Sequence, residues 1–264
     1  MQSMVERPVM SLDRVEATRY VTALREGGSL PGLVEASDDG LYVVKFRGAG
    51  QGLRALVAEV LVGELLRAAG LPVPALVSVD VDARLGAAEP DPEIQELLTA
   101  SVGENLGVDF LPGALPYTAA GVWQPAADLA AEIVWLDALT TNVDRTARNP
   151  NLLRWHERLW LIDHGAALYL AHGGLGDPAA LARRPFALIA DHVLLPRAGS
   201  VLAAGERLRA RVDVGAAIAA AAALVPPRWY EGGDPPQAYV AYLSHRLSWG
   251  GFAEEAERVR RQLP

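Results

Sequence analysis

Residues 53–69, LRALVAEVLVGELLRAA, are strong helix formers and are apolar on nearly every face. A helix of this kind cannot lie on a surface. Packed elements must cover it on several sides, and the rest of the chain has to supply them. Gly70 stops the helix and Pro72 and Pro74 follow, the usual punctuation after a helix C-terminus.

The stretch before this helix reads as strands. Thr18 to Leu24 is a candidate first strand, with Leu33–Ala36 and Leu41–Arg47 joined by the turn Ser37-Asp38-Asp39-Gly40. Leu76–Val81 follows the helix as another strand, and residues 84–92 read as an acidic exposed loop. Residues 105–113 read as an extended segment ending in a Pro-Gly turn, a candidate hinge. Beyond it comes a helix over 127–141, a polar loop over 142–151, and short strands over 152–155 and 159–162. Helical patterns then fill about 178–204, 206–223, 235–248 and 251–262. In the last of these, Glu254 and Glu255 precede Arg258, Arg260 and Arg261, which suits ion pairs along a solvated face. Strands first and helices after predict an α+β fold. The expected division is an antiparallel sheet with one helix over residues 1–112 and a helical unit over 113–264.

Composition removes several function classes. The 264 residues include no cysteine, so disulfide scaffolds, thiolate nucleophiles and Cys-ligated zinc are excluded. A formal charge of −8 argues against general nucleic-acid binding, which depends on neutralising phosphates. The first residues have no apolar signal core, and the longest apolar run, Val214–Val225, is too short to span a bilayer, so a cytoplasmic protein is expected. The histidines have no metal-ligand spacing and read as structural or solvated. Of the 24 basic residues, Lys45 is the only lysine. An ammonium is a compact point charge, which a guanidinium fork does not replace.

Four features stand in a fixed order: a Gly-rich turn over Gly27, Gly28 and Ser29; Lys45 on the following strand; a helix carrying Glu59 and Glu64; and an Asp144-x4-Asn149 loop before a hairpin that ends in Asp163-x-Gly165. Each piece alone is ordinary turn or strand chemistry. Together they match what phosphoryl transfer needs. Glycines let backbone N–H groups approach phosphates. A strand lysine, oriented by a helix glutamate, holds the α/β-phosphates. An aspartate receives the acceptor's proton, and an asparagine and a second aspartate offer hard oxygen ligands to Mg²⁺. Geometry along the helix does not choose between Glu59 and Glu64.

The ordered set resembles the HipA-like kinases, a branch of the protein-kinase-like superfamily that also approaches the phosphatidylinositol 3-/4-kinases. The resemblance rests on Gly27-Gly28-Ser29-Leu30-Pro31, Tyr42-Val43-Val44-Lys45, Ala58-Glu59, Gly70-Leu71-Pro72-Val73-Pro74, Asn142-Val143-Asp144-Arg145-Thr146-Ala147-Arg148-Asn149 and Leu161-Ile162-Asp163-His164-Gly165. It covers roughly residues 18–170. It implies a bilobal kinase-like fold that uses ATP and Mg²⁺. Gly27, Gly28 and Ser29 would form the phosphate loop, Lys45 would bind ATP phosphates, and Glu59 would pair with it. Backbone groups from Val108 through Phe110 to Leu111 would meet adenine. Asp144 would be the base, with Asn149 and Asp163 as metal ligands. His164 stands where a phenylalanine is usual, and no Ala-Pro-Glu segment follows. The implied activity is transfer of the γ-phosphate to a protein Ser/Thr hydroxyl. Small-molecule or lipid-headgroup phosphorylation, and a nucleotide-binding pseudokinase, remain open alternatives.

Overall fold

The computed structural model describes residues 11–24, 30–50, 52–87 and 89–263. Strands β1 (Asp13–Ala23), β2 (Gly32–Ala36), β3 (Leu41–Lys45), β4 (Leu76–Val81) and β5 (Gly103–Asp109) close into a barrel in the order β1-β2-β3-β5-β4. The expected antiparallel sheet is therefore corrected at one seam, where Asp13–Glu16 of β1 pairs in parallel with Val77–Asp80 of β4. The cause lies in β1. Its register against β2 slips between Ala17 and Arg19 and again between Tyr20 and Thr22. Bulges of this kind bend and twist a strand, so the first part of β1 leaves β2 and reaches β4. Gly107 is required where β5 passes β4, because a Cβ there would lie 2.5 Å from Val79 Cγ2.

The stretch read as a loop over 84–92 instead begins a helical insert, α2 (Ala83–Ala87) and α3 (Pro92–Ala100). Asp91 caps α3 by accepting the Glu93 N–H at 3.0 Å, with Pro92 in the first turn. Ile94 and Leu98 of α3, one helical turn apart, join Val15, Val34, Val44, Phe46, Val79 and Val81 in the barrel core. Ile94, Leu97 and Leu98 in an otherwise polar stretch were too weak a periodic signal to show this helix in the sequence.

Helix α1 (Gly52–Ala68) is buried as its composition demands, from Leu56 through Leu66 apart from Glu64. Its side chains share one core with those of α4 (Ala127–Thr140) and with the later helices. Beside α4 lies a small sheet of β6 (Leu115–Pro116), β7 (Leu152–Trp155) and β8 (Arg158–Leu161). His156 and Glu157, both at positive φ, form the tight β7–β8 turn. After β8 come α5 (Pro178–Ala182), α6 (Val201–Arg211), α7 (Val214–Leu224), α8 (Pro236–Trp249) and α9 (Gly251–Arg260). The long helix expected over 178–204 is broken into α5, two short 3₁₀ turns and the start of α6, with Pro185 and Pro196 in the interruption. Ser200 and Asp213 cap α6 and α7 through the Ala203 and Ala216 N–H groups. Arg211 donates to the Ala69 carbonyl at 2.8 Å and to Glu132 at 2.8 Å, tying the end of α1 to α6 and α4.

In α9 the ion pairs are made by Glu257 rather than by Glu254. Glu257 accepts from Arg260, Arg261 and the Val201 N–H, and its side chain is 4% exposed. The Arg260 hydrogen bond, helped by Val201 and Arg261 and opposed by burial, pulls this carboxyl down to about 2 from an ordinary 4.5. A depressed carboxyl stabilises the fold above its ordinary value and loses that contribution as pH falls towards the folded value. Glu257→Gln is expected to cost about 1.5–3 kcal/mol at pH 7, the value of hydrogen bonds to a charged group. The gap between variant and wild type narrows as pH drops below 4.5. Urea unfolding at pH 7, 5 and 3 checks this, and a gap independent of pH contradicts it.

Candidate functional site

Lys45 ends β3, flanked by β2 and by Leu106 of β5, and its side chain points into the interior at 13% exposure. Its Nζ donates to Glu59 Oε1 and to Asp163 Oδ1, the latter at 2.6 Å. Glu59 lies in the middle of α1 and is 1% exposed. Five residues at roughly 100° each turn Glu64 away from Glu59 on the helix, and Glu64 pairs with Arg67 at 3.2 Å instead. Glu59 Oε1 also accepts the Gly165 N–H at 2.6 Å. A Cβ on Gly165 would sit 3.0 Å from that oxygen, so the Asp163-x-Gly165 spacing has a steric cause.

Asp163 follows β8 in a left-handed conformation, φ 55°, which costs a residue with a Cβ about 1 kcal/mol. The ion pair to Lys45 holds it there. One ammonium thus serves two carboxylates. Burial lowers the Lys45 pKa, but Glu59 and Asp163 outweigh it and the ammonium is held above its ordinary range. Burial also raises both carboxyls. At Asp163, 43% exposed, Lys45 more than offsets it and the group is depressed. At Glu59 burial prevails over Lys45, with Asp163 adding to it, and the group is raised.

The second part of the site is the loop after α4. Thr141 ends that helix at φ 51°. Asp144 donates its N–H to Asn142 Oδ1 at 3.1 Å. Its Oδ2 accepts from the side-chain amides of Asn149 at 2.8 Å and Asn151 at 3.1 Å. Among the described residues, Asp144 Oδ1 and Asn149 Oδ1 have no hydrogen-bond partner. Asn151 was not singled out in the sequence. Its left-handed φ of 50° brings its amide onto Asp144 while its carbonyl takes the Ile162 N–H. Asn-Pro-Asn was the available signal, since Asn tolerates that conformation.

Arg145 lies under this loop with its side chain fully buried. It donates to Asp137 Oδ2 at 2.5 Å, to the Asn151 carbonyl at 2.6 Å, and to His164 Nδ1 at 3.2 Å. His164 is buried, and desolvation, aided by the Arg145 charge, pushes it down to about 3, so it is a neutral acceptor at Nδ1. His192 donates to Asp137 Oδ2 at 2.9 Å. The histidines at 164 and 192 are thus structural in the sense expected, but they join the two halves of the site from below.

The extended segment expected over 105–113 is β5 and its exit. Val108 sits between β3 and β4, opposite Val43 and Leu76. The N–H groups of Asp109 and Phe110 are taken by the carbonyls of Ala75 and Leu41. The Leu111 N–H has no acceptor among the described residues. Gly27, Gly28 and Ser29 lie outside the described residues.

A buried ammonium between two carboxylates faces a polyanion well only if part of its charge is released. Asp163 is the exposed partner that a divalent cation would draw away. Oxygen donors from Asp163 and Asn149 suit a hard cation that keeps other ligands. Among the described residues no cluster of three His, Cys, Asp or Glu side chains forms a closed metal cage.

Comparison with known proteins bears on this arrangement. A 12% identical solved structure, the proinflammatory kinase CtkA of Helicobacter pylori, aligns over 94% of this chain and 100% of its own with a TM-score of 0.51, so the fold is shared. A Golgi casein kinase structure aligns at 12% identity over 96% of this chain and 74% of its own, TM-score 0.47. No curated protein matches. The family model for HipA-like kinases matches residues 18–172, which holds Lys45, Glu59, Asp144, Asn149 and Asp163, and more than half of the chain. The chain belongs to the HipA-like kinase family.

Proposed function

We propose that the protein transfers the γ-phosphate of ATP, with Mg²⁺, to a serine or threonine hydroxyl of a protein. The observation that carries this reading is the meeting of Lys45 on β3 and Glu59 on α1 with Asp163, which is 118 positions from Lys45 in the chain. The cleft would lie between lobes of residues 1–112 and 113–264, joined near Pro112. Trp155 steadies that junction by donating to the Pro112 carbonyl at 2.9 Å.

Bound MgATP supplies the transferable phosphoryl group and a cation that offsets its charge. The remaining work falls to side chains of this protein. Glu59 and Gly165 fix the position of Lys45, so its ammonium is preorganised towards phosphate oxygens. Asp163 and the Oδ1 of Asn149 would hold Mg²⁺. Asn149 and Asn151 occupy Oδ2 of Asp144, which leaves Oδ1 to orient the acceptor hydroxyl and take its proton. The Leu111 N–H is the hinge donor left for adenine, a shift of one residue from Phe110.

A second reading has a specific observation behind it. Residues 164–177 between the metal segment and α5 leave little length for a peptide platform, and Leu168 and Tyr169 are tied by backbone to Thr140 and Thr141. A small-molecule or lipid-headgroup acceptor suits such a face. Radiolabelled ATP supplied with mixed protein substrates and, separately, with a metabolite and phosphoinositide panel tests both. Label in protein Ser/Thr is the expected result. Label only in a small molecule moves the conclusion to the second reading. MgATP binding without transfer to any acceptor or to water makes the protein a pseudokinase.

A further inference from the structure

Asp137 is fully buried within α4 and gathers three donors. Its Oδ2 accepts from Arg145 Nε and His192 Nε2, and its Oδ1 from the Asn142 amide at 3.1 Å. Asn142 in turn receives the Asp144 N–H through its own carbonyl oxygen. One carboxylate therefore sets the orientation of the residues on both sides of Asp144. Burial alone would raise the Asp137 carboxyl, but Arg145 and His192 keep it ionised.

His192 comes from outside this loop, and from beyond the 18–172 span that matches the family. Its Nδ1 accepts the Leu194 N–H at 3.1 Å, so its proton lies on Nε2 and is given to Asp137. The same stretch grips the loop by its backbone. The Val193 N–H donates to the Arg145 carbonyl at 2.9 Å, and Thr146 bridges His192. His192 is 4% exposed and 3₁₀ turns at Ala187–Asp191 and Leu195–Arg197 flank it.

We propose that His192 is a positioning residue for Asp144, acting through Asp137, Asn142 and Arg145. The segment after α5 is on this view part of the catalytic apparatus and not only a helical support. The inference rests on the kinase reading for its consequence in turnover, but the mechanical link to the loop stands on the hydrogen bonds alone. Removing the Nε2 donor leaves Asp137 held by Arg145 and Asn142 only. The loop then loses one of its fixed points while Lys45, Glu59 and Asp163 keep theirs. Small displacements of a reacting group cost turnover more than binding.

The test uses the full chain in three forms, wild type, His192→Leu and His192→Gln, each first shown to be folded by thermal unfolding. MgATP hydrolysis, with water as acceptor, gives kcat and KM without knowledge of the natural acceptor. His192→Leu is expected to lower kcat by about tenfold to a hundredfold, with KM for MgATP changed less than about twofold. His192→Gln, which restores an N–H donor near Nε2, is expected to recover most of kcat. Amide hydrogen exchange should quicken over residues 142–151 in the leucine variant and not over α1. Unchanged kcat in folded His192→Leu, or a fall in kcat and rise in KM together with no rescue by glutamine, overturns the proposal. If wild type neither binds nor hydrolyses MgATP, the kinase reading fails. The exchange arm then decides the positioning link, and unchanged exchange over 142–151 overturns it.

Discussion

Asp144→Asn is expected to lower phosphoryl transfer by about 10²–10⁴-fold, the usual contribution of a positioned general base. MgATP affinity should stay within about threefold of wild type, because Lys45, Glu59 and Asp163 do not contact the changed side chain and Asn149, which does, keeps an oxygen acceptor for its amide. The asparagine is the informative substitution. Its Oδ1 still accepts from Asn149 and Asn151, so the loop keeps its shape while proton acceptance is lost. Alanine would free both amides and confuse loss of the base with loss of loop order. Turnover within tenfold of wild type would remove Asp144 from the chemistry and leave the loop a structural one.

The largest expected effect on stability belongs to Arg246. Its side chain lies within the helical core with no carboxylate within ion-pair distance among the described residues. The guanidinium instead donates to three carbonyls: Ala138 at 3.1 Å, Ala182 at 3.0 Å and Arg184 at 3.1 Å. Ala138 is in the last turn of α4, and Ala182 and Arg184 stand at the end of α5. Two helix C-termini therefore share one cation, which is where their dipoles favour positive charge. Trp249 and Phe252 cover it with their rings at 5.8 and 5.6 Å. Burial lowers the Arg246 pKa, so its charge is retained at a cost. Replacing a buried ion pair by apolar residues is often harmless when both partners go. Here the partners are backbone and cannot be removed. Arg246→Leu leaves three carbonyls unpaired, at about 1–3 kcal/mol each before relaxation, so a loss of about 3–5 kcal/mol is expected. Arg246→Lys should recover only part of it, since a point charge cannot fork across three acceptors. Urea unfolding measures both, and a loss below about 1 kcal/mol for the leucine variant would show that water replaces the guanidinium.

How much of this could be read beforehand depends on the range of the signal. The helix at 53–69, apolar on nearly every face, was legible as a buried one, and the Gly70–Pro74 exit marked its end, because propensity and punctuation are local. Lys45, Glu59 and Asp163 were named by the family resemblance, with Glu64 kept as an alternative to Glu59, and they meet although Lys45 and Asp163 are 118 positions apart. Helical periodicity could not choose Glu59 over Glu64, and only the approach of β3 and Gly165 does. The barrel seam was hidden because it depends on two bulges in β1, whose sequence carries mixed strand and helix signals. The insert α2–α3 was hidden by its polar surface. The support under Asp144 was the least legible part. Asp137 and Glu132 of the helix over 127–141 were not singled out, and both are buried partners of arginines. His192 had no local signal, since its partner Asp137 is 55 residues away.

Lys45 and Asp163 are proposed to form one MgATP site. Calorimetric titration of a non-hydrolysable ATP analogue, with and without Mg²⁺, into wild type, Lys45→Ala and Asp163→Asn tests it most directly, after thermal unfolding has shown each protein to be folded. The expected result is Mg²⁺-dependent binding to wild type, weaker binding to Lys45→Ala, and loss of the Mg²⁺ dependence in Asp163→Asn. No binding to wild type, or binding indifferent to both substitutions, would contradict it.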